Sequence, residues 1–270
     1  MLTRLAAALA IAGSFFAASS GHAEDPAPET WQFSIAPYLW AMSLDGDVTV
    51  RGNDAGVDAS FIDILQQSDS IIGLLGHGEA RKGKWGFYVD GVYARLGAKA
   101  NPRAGLKIES TAELSFLEGG AFYRVGQWDL GNMTDAFGGG MTSVALETYA
   151  GVRYTSLNLS LDLDNGVTQA NAGSDKSWVD PLLGARAILD LTERLQLIVG
   201  GDIGGFGVGS DMTWSAIGVI GYNFTLLGLD STAVIGYKAL HQDYQDGSGA
   251  HAFRWDMTVH GPITGAIIRF

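Results

Sequence analysis

Three residues with acid–base chemistry stand at alternate positions early in the chain: His77, Glu79 and Arg81. Side chains at alternate positions of a β-strand point to the same face of the sheet. If the chain turns back at residues 82–84, Asp90 lies opposite His77 in an antiparallel pair. An imidazole beside two carboxylates suits proton transfer or a selective polar pathway. The same charges can instead pair with one another to stabilise a closed interior, and we favour this second interpretation.

A second set of charges lies further along the chain. A turn at residues 192–194 places Arg186 opposite Gly200 and diagonal to Asp202. Diagonal neighbours in a sheet lie about 7–8 Å apart, so we predict an ion pair between Arg186 and Asp202. The complete predicted polar network of the interior is His77, Glu79, Arg81, Asp90, Glu147, Arg153, Asp180, Arg186 and Asp202.

A third group of acid–base residues falls near the predicted external end of the last two strands. It comprises His241, Asp243, His251, Asp256 and His260. A histidine with an acid can activate water or bind a metal, but the chain has no His-Glu-x-x-His motif and no Gly-x-Ser-x-Gly elbow. Histidines on exposed loops are usually only solvated. We therefore predict no catalytic residue, no metal site and no cofactor.

The elements that must position these residues have a period of two. In the clearest segment, Leu157, Leu159 and Leu161 alternate with polar residues up to Asn165-Gly166, which is a hairpin signal. Ten strands are predicted, at roughly 31–44, 70–82, 84–98, 105–125, 142–163, 166–190, 194–206, 211–224, 231–244 and 252–270. The one helical candidate is a capped turn that begins at Ser60.

Composition excludes several classes of protein. Of the 270 residues, 17% are charged, 38 are glycine and none is cysteine. The charged fraction is well below the roughly 25% of soluble domains, which argues against an ordinary cytosolic enzyme. Without cysteine there is no disulfide, thiol nucleophile or thiolate metal site. The net charge of -12 repels nucleic acid, so we expect no nucleic-acid partner.

The first residues have the pattern of an export signal. Arg4 precedes an apolar run from Leu5 to Phe16, and Gly21-His22-Ala23 places small residues where a signal peptidase cleaves. The apolar run is far shorter than the roughly 20 residues of a membrane-spanning helix. We expect residues 1–23 to be a signal peptide and residues 24–270 to form a single exported domain.

Alternation alone fits a soluble sandwich as well as a membrane barrel, and the aromatic residues separate the two. Six of them fall near the strand ends predicted to face the periplasm, as in an interfacial girdle. They are Trp31, Trp85, Tyr123, Tyr222, Phe224 and Phe270. We therefore predict a barrel in which the apolar face of each strand meets lipid and the charged face points inward.

This assignment has a consequence for the leucine-rich strand. It places Leu157, Leu159 and Leu161 on the lipid face. The apolar phase of the same strand slips between Tyr154 and Leu157. A slip of one residue would turn a strand inside out, so the slip indicates a β-bulge or the point where the strand leaves the bilayer.

Four segments carry a family resemblance. They are Ala36-Pro37-Tyr38-Leu39-Trp40 with Leu44-Asp45-Gly46, Trp178-Val179-Asp180-Pro181 with Gly184-Ala185-Arg186, the stretch from Asp202 to Asp211, and Gly261-Pro262 leading to Arg269-Phe270. In these segments the chain resembles an uncharacterised family of proteobacterial outer-membrane β-barrels within the small outer-membrane protein barrels. The resemblance implies a place in the bacterial outer membrane and no known activity. Ala266, Ile268 and Phe270 look like the assembly signal of such barrels, which implies binding to the barrel assembly machinery.

The predicted fold is all-β: a transmembrane antiparallel up-and-down barrel of about ten strands, with eight or twelve as alternatives. Two further strands could lie within residues 47–59 and 127–141. We expect outer-membrane lipid as the surrounding partner. The favoured function is a structural or surface-interaction role through acidic loops, and the alternatives are a narrow pore for small solutes or cations and a hydrolase at the rim. The loop acids are Asp45, Asp47, Asp54, Asp58 and Asp246.

Overall fold

A computed structural model describes residues 30–103, 106–132, 141–164 and 169–270. The expected signal peptide and the hairpin turn at Asn165-Gly166 lie outside these residues. Among the residues described, no helix is long and apolar enough to cross a membrane. The strands are β1 (Gln32–Trp40), β2 (Ser43–Val50), β3 (Asn53–Ala59), β4 (Ser70–Lys82), β5 (Trp85–Arg103), β6 (Leu106–Asn132), β7 (Met141–Asp164), β8 (Gln169–Asp190), β9 (Leu195–Gly204), β10 (Met212–Leu226), β11 (Leu229–Asp246) and β12 (Phe253–Arg269); helix α1 is Phe61–Gln67, and a 3₁₀ turn covers Gly249–His251.

Ten of these strands form a closed antiparallel barrel. From β4 to β12 each strand pairs with the next along the chain, and β1 closes the sheet by pairing with both β4 and β12. A path that starts at Ser34 and steps from each residue to its partner on the next strand goes once around the barrel. It does not return to Ser34 but ends at Gly46, 12 residues further along the chain. Such a stagger requires strands that are tilted against the barrel axis. The predicted closed barrel of ten strands is confirmed.

The two ends of the barrel differ. The proximal end contains Gln32, Arg269 and the tight turn between β4 and β5. The distal end carries β2 and β3, which form a hairpin above the barrel wall. β1 and β2 pair with successive stretches of β12, and the register is the same for both: Trp40 of β1 pairs with Ile263, and Ser43 of β2 pairs with His260. Residues 47–59 thus contain the additional strand pairing, whereas residues 127–132 lengthen β6.

Helix α1 forms where the capped turn was predicted. The Ser60 side chain accepts a hydrogen bond from the Asp63 N–H at 3.2 Å, and the Asp63 carboxylate accepts one from the Ser60 N–H at 3.1 Å. This reciprocal capping box satisfies two amides that a helix N-terminus leaves without partners. The helix ends at Gln67, and its C-terminal cap Ser68 has extended backbone angles.

The outer face of the barrel carries a belt of exposed apolar side chains. The belt includes Phe33, Ile35, Leu39, Ile72, Leu74, Phe87, Val89, Leu117, Val152, Val179, Leu183, Val199, Ile203, Ile220 and Ile235. Aromatic residues lie at its proximal edge, where Trp85 packs against Tyr123 with ring centroids 4.8 Å apart. A continuous apolar surface of this kind is stable against hydrocarbon and not against water.

The prediction for the leucine-rich strand was wrong. Leu157 is only 4% exposed and lies inside the barrel. Leu159 has the same parity, and the side chain of Leu161 lies outside the part of the chain that the structure describes. The β7 ladder passes through this segment without a bulge, so the side chains keep alternating and only their surroundings change. The slip near Tyr154 therefore marks the level at which the strand leaves the bilayer and its outer face meets water.

An apolar core fills the distal interior as a result. Its buried members include Trp40, Val92, Phe116, Leu157, Trp178, Leu240, Trp255, Met257, Val259 and Ile263. On the outer face at this height, Arg95 and Glu113 form an ion pair with atoms 3.4 Å apart. The distal half thus has apolar residues inside and charges outside, whereas the proximal half has the reverse arrangement.

This inversion can be tested by single-cysteine labelling, because the chain has no cysteine of its own. In the protein reconstituted in lipid vesicles, Ser156→Cys should react with a water-soluble maleimide, while Leu157→Cys in the core and Val152→Cys in the belt should be protected. A lipid-soluble maleimide should then label Val152→Cys and still spare Leu157→Cys. Labelling of Leu157→Cys as fast as Ser156→Cys would contradict the inversion.

Candidate functional site

A layer of paired charges crosses the lumen between the proximal mouth and the distal core. Of the nine residues predicted for the interior network, all point into the barrel, and eight belong to this layer. Asp180 lies directly opposite Arg153 in the β7–β8 ladder, but its carboxylate is bonded to Ser210 and not to Arg153. The layer has two clusters, one around Glu147 and His77 and one around Arg153. Tyr88 lies between them: its ring stacks on His77 of the first cluster and meets Tyr149 of the second cluster edge-on.

Glu147 is the centre of the first cluster. Its side chain has no exposed surface. It accepts hydrogen bonds from Arg124 at 3.0 Å, from Arg186 at 2.7 Å and from Arg81, which lies three strands away on β4. The guanidinium groups of Arg81 and Arg186 also lie 5.0 and 4.8 Å from the centroid of the Phe122 ring. Three cations therefore share one buried carboxylate, and Arg186 gains a second partner in Glu79.

His77 joins this cluster to a second carboxylate. The predicted register is confirmed, because His77 pairs with Asp90 and Glu79 with Tyr88. The His77 ring nitrogens lie 3.0 Å from Glu79 and 3.3 Å from Asp90. Asp90 also accepts hydrogen bonds from the Tyr38 hydroxyl at 3.0 Å and from the Lys238 ammonium at 3.3 Å. The imidazole is thus held on both sides by groups that are themselves paired, which is an arrangement that immobilises the ring.

Arg153 organises the second cluster. It is 3% exposed, and it donates to Glu118 at 2.8 Å and to Asp202 at 3.0 Å. Asp202 also accepts a hydrogen bond from Ser215, and Tyr149 donates to it at 3.4 Å. Each charge in this cluster therefore has a charged partner and at least one further hydrogen bond, which is the condition for burying an ion pair at tolerable cost.

The predicted ion pair between Arg186 and Asp202 was wrong, although its register was right. Arg186 does lie opposite Gly200, but its guanidinium pairs with Glu79 and Glu147. In a narrow barrel a long side chain reaches the opposite wall as easily as its neighbour on the next strand. Asp202, which is shorter, is bound by Arg153 instead.

Some residues of the layer were not predicted from the sequence, among them Tyr38, Glu118, Arg124 and Lys238. The strand register contained a signal for one of them. Glu118 lies directly between Asp90 and Arg153 in the ladders of β6 with its two neighbours. The Lys238 contact joins β11 to β5 across the lumen, and no pattern along the chain indicates it.

Asp180 has a structural position in the distal half. Its carboxylate accepts hydrogen bonds from the Ser210 N–H at 2.6 Å, from the Ser210 hydroxyl at 2.7 Å and from the Trp178 indole at 3.0 Å. These contacts tie the loop between β9 and β10 to β8. The distal loop of the short β9–β10 hairpin is thereby attached to the neighbouring strand. Just above it the Trp178 ring stacks on the Tyr244 ring, with centroids 4.1 Å apart.

The histidines near the rim do not converge. His241 bonds to Thr258 at 3.1 Å and His260 to the Tyr237 hydroxyl at 2.5 Å, while His251 is exposed in the 3₁₀ turn. Arg254 pairs with the neighbouring acids Asp243 and Asp256, and of the three histidines His241 lies 3.9 Å from Asp256. Within the described ranges, no group of three or more histidines and acids is arranged to hold a metal ion.

The outer face of the distal hairpin is acidic. Asp45 lies directly opposite Asp58, and Asp47 lies opposite Asp256, which in turn lies opposite Asp243. Like charges directly opposite one another are unfavourable in a sheet. At the distal mouth Asp246 is different, because the Lys176 ammonium at 2.6 Å lowers the pKa of its carboxyl.

The residues predicted as an assembly signal lie on the outer face where the barrel closes. Ile268 pairs with Ile35 of β1, and the Phe270 N–H donates to the Phe33 carbonyl at 2.9 Å. Ala266 precedes them on the same face of β12. The three side chains therefore meet lipid, as the signal requires, and their role in assembly stays a prediction.

Comparison with known proteins gives a likeness of fold. No family model and no curated protein matches the chain. Among solved structures, Ail, the attachment invasion locus protein of Yersinia pestis, is 11% identical with a TM-score of 0.33, and the match covers 90% of this chain and 99% of that one. The translocator domain of the autotransporter NalP from Neisseria meningitidis is 11% identical with a TM-score of 0.32 and coverage of 89% of both chains. A FadL homologue of Pseudomonas aeruginosa is 8% identical, with a TM-score of 0.25 and 89% of both chains covered.

The strand pairing of the chain itself, together with its outward apolar belt, makes it a membrane β-barrel of the outer-membrane type. The charged layer of its lumen contains five acids with cationic partners, Glu79, Asp90, Glu118, Glu147 and Asp202, and five permanent cations, Arg81, Arg124, Arg153, Arg186 and Lys238. These charges neutralise one another across the barrel. The layer can therefore brace the wall, and it leaves little free charge to select an ion.

The contribution of these ion pairs to the free energy of unfolding can be measured with two matched substitutions. Glu147→Gln leaves three guanidinium groups without their shared anion, so the free energy of unfolding should fall by about 3–5 kcal/mol. Glu113→Gln makes the same chemical change in the half-exposed pair with Arg95 and should change it by about 1 kcal/mol or less. Urea unfolding in lipid vesicles measures both. Equal effects would show that the layer does not brace the barrel.

Proposed function

We propose that the protein is an integral barrel of the bacterial outer membrane with a structural or surface-interaction role in the cell envelope, and that it is neither an open channel nor an enzyme. The observation that carries this proposal is the filled lumen. The Glu147 side chain points into the lumen, where an open channel would expose it to water, and yet it has no exposed surface. The distal core above the charged layer is also buried. Barrels with wide aqueous channels have about 16 strands or more.

The balance of charges in the lumen argues against the pore alternative. A cation-selective pore needs an uncompensated acidic lining. Here each carboxylate of the layer has a cationic partner within 4 Å, and two of these pairs, Arg186 with Glu79 and Lys238 with Asp90, cross the lumen between strands that are four apart. An ion that passed through would have to break contacts such as Arg81 to Glu147.

The surface part of the proposal rests on the acidic hairpin. Acids that face one another across β2, β3 and β12 repel, so a cationic partner outside the cell would relieve the repulsion between pairs such as Asp45 and Asp58. The apolar belt has outer-membrane lipid as its partner. Export through the signal peptide and recognition of Ala266, Ile268 and Phe270 by the assembly machinery complete the proposed route to the membrane.

Planar-bilayer recording tests the closed lumen. The purified barrel should add no reproducible conductance steps in 1 M KCl, whereas a general-diffusion porin inserted in the same bilayer gives steps. Heat-modifiable migration of the sample on gels shows that silence does not come from unfolded protein. Reproducible, ion-selective steps would overturn the proposal in favour of a narrow pore.

The proposed absence of catalysis has its own test. The purified barrel should hydrolyse neither phospholipids nor peptides above the rate of a boiled sample. Hydrolysis that disappears in both His251→Ala and His260→Ala would contradict the proposal and place an active site at the rim.

A further inference from the structure

The barrel wall is interrupted on one side, from the distal part of the lipid-facing belt toward the distal end. The ladder between β1 and β4 ends where Pro37 pairs with Gly76. Proline has no backbone N–H to continue such a ladder. Beyond it, the described residues of β1 pair only with β12, and those of β4 pair only with β5. The unpaired line between residues 38–43 and residues 70–75 is called the seam below.

Helix α1 spans this interruption, because it joins β3 on one side to β4 on the other. The Phe61 N–H donates to the Ser43 hydroxyl at 3.0 Å, and the Asp69 N–H donates to the Gly97 carbonyl at 2.8 Å. None of the helix residues is buried, and Ile62 and Leu65 are exposed. An exposed apolar helix at the distal edge of a lipid-facing belt is suited to the boundary between hydrocarbon and water.

The outer face beside the seam is strongly apolar. Leu39 is 68% exposed on β1, and Leu74 is 75% exposed on β4. The two would face each other if the ladder continued in the same register, since its pairs run from Gln32 with Arg81 to Pro37 with Gly76. Lipid chains therefore reach both sides of the unpaired line.

A cavity of about 380 Å³ lies beside the distal end of β4, because two of its lining residues, Leu96 and Gly97, pair with residues 71 and 70 of that strand. It is open to the outside and lies between the β2–β3 turn and the distal parts of β5 to β8, and its wall includes Val50, Arg51, Ser68, Leu96, Ala112 and Leu159. Ser68 is also the C-terminal cap of α1, so the end of the helix forms part of the cavity rim. The volume falls within the range of roughly 300–1,000 Å³ that is usual for small-molecule sites.

The lining indicates the chemistry of a ligand. Val50, Leu96 and Leu159 offer an apolar wall, while Arg51 supplies a cation at the edge. Among the residues that the structure describes, Arg51 makes no ion pair, and the nearby Asp54 carboxylate is bonded to Thr49 at 2.6 Å. A guanidinium group binds a carboxylate through two parallel hydrogen bonds. One apolar wall and one cation match a single-chain amphiphile with one negative charge.

We propose that the distal cavity binds a free fatty acid, with its carboxylate at Arg51 and its chain along Leu96 and Leu159, and that the seam admits it from the outer leaflet. This site lies outside the charged layer. It is independent of the structural role proposed above, because a closed lumen and a lateral site do not require each other.

Binding is tested with radiolabelled dodecanoate on the full barrel in phosphatidylcholine nanodiscs, with empty nanodiscs as background. We expect saturable binding at one site. Arg51→Gln should weaken dodecanoate binding about tenfold or more and leave binding of uncharged dodecanol unchanged, because only the acid needs the cation. Arg95→Gln, which changes a distal arginine paired with Glu113 on the outer face, is the matched control and should bind as the unaltered barrel does.

Filling the cavity gives a second readout. Ala112→Trp should abolish binding of both dodecanoate and dodecanol, and its heat-modifiable migration reports whether the barrel is folded. Because Arg51 lies on an exposed turn, its variant stays informative if the tryptophan variant does not fold. The proposal is overturned if the unaltered barrel shows no saturable site, or if Arg51→Gln and Arg95→Gln bind dodecanoate equally.

The seam is tested with pairs of cysteines whose side chains all point to the outer face of the barrel. Ile35→Cys with Gly78→Cys, on the paired part of the ladder, should oxidise to a disulfide, whereas Leu39→Cys with Leu74→Cys should not. Joining the second pair with a bifunctional maleimide should slow dodecanoate association about tenfold or more. Equal oxidation of both pairs would show that the ladder continues, and an unchanged association rate would overturn entry through the seam.

Discussion

The structure depends on the need to neutralise charge inside a narrow closed barrel. Closing ten strands leaves an interior that side chains fill almost completely, so a carboxylate there has little access to water. Glu147 shows the result, because three arginines from three other strands surround its fully buried carboxylate. Contacts of this kind tie opposite walls together. They resist flattening of the barrel in a way that backbone ladders alone do not.

The same constraint explains why the barrel changes character along its axis. In the bilayer, apolar side chains are stable outside, and the interior receives the polar residues. Above the bilayer the outer face meets water, and the preference reverses without any change in strand geometry. Leu157 and Ser156 are adjacent on β7, yet the leucine lies in a dry core and the serine lies on the outer face. The level of the membrane can thus be found from the point at which the apolar parity inverts.

The proposed functions follow from where the molecule is closed and where it is not. Along the axis, the charged layer and the distal core fill the lumen, which favours bracing and surface contact over conduction. Sideways, the ladder stops at Pro37, and helix α1 bridges the interruption beside an apolar cavity. A barrel of this design suits the proposed binding of a molecule from the membrane rather than conduction across it.

Local patterns were enough to indicate the ten strands of the barrel wall, the capped helix at Ser60 and the pairing of His77 with Asp90. All of these follow from alternation and from short turns, which act between neighbours in the chain. The partners of Arg186 and the side of the wall on which Leu157 lies were decided only by the tertiary structure. Which charges meet across a lumen depends on the stagger of ten strands, and which face is dry depends on the height of the bilayer. Neither quantity is encoded within a single strand, so the sequence by itself determined the ladders and the closed barrel determined the contacts.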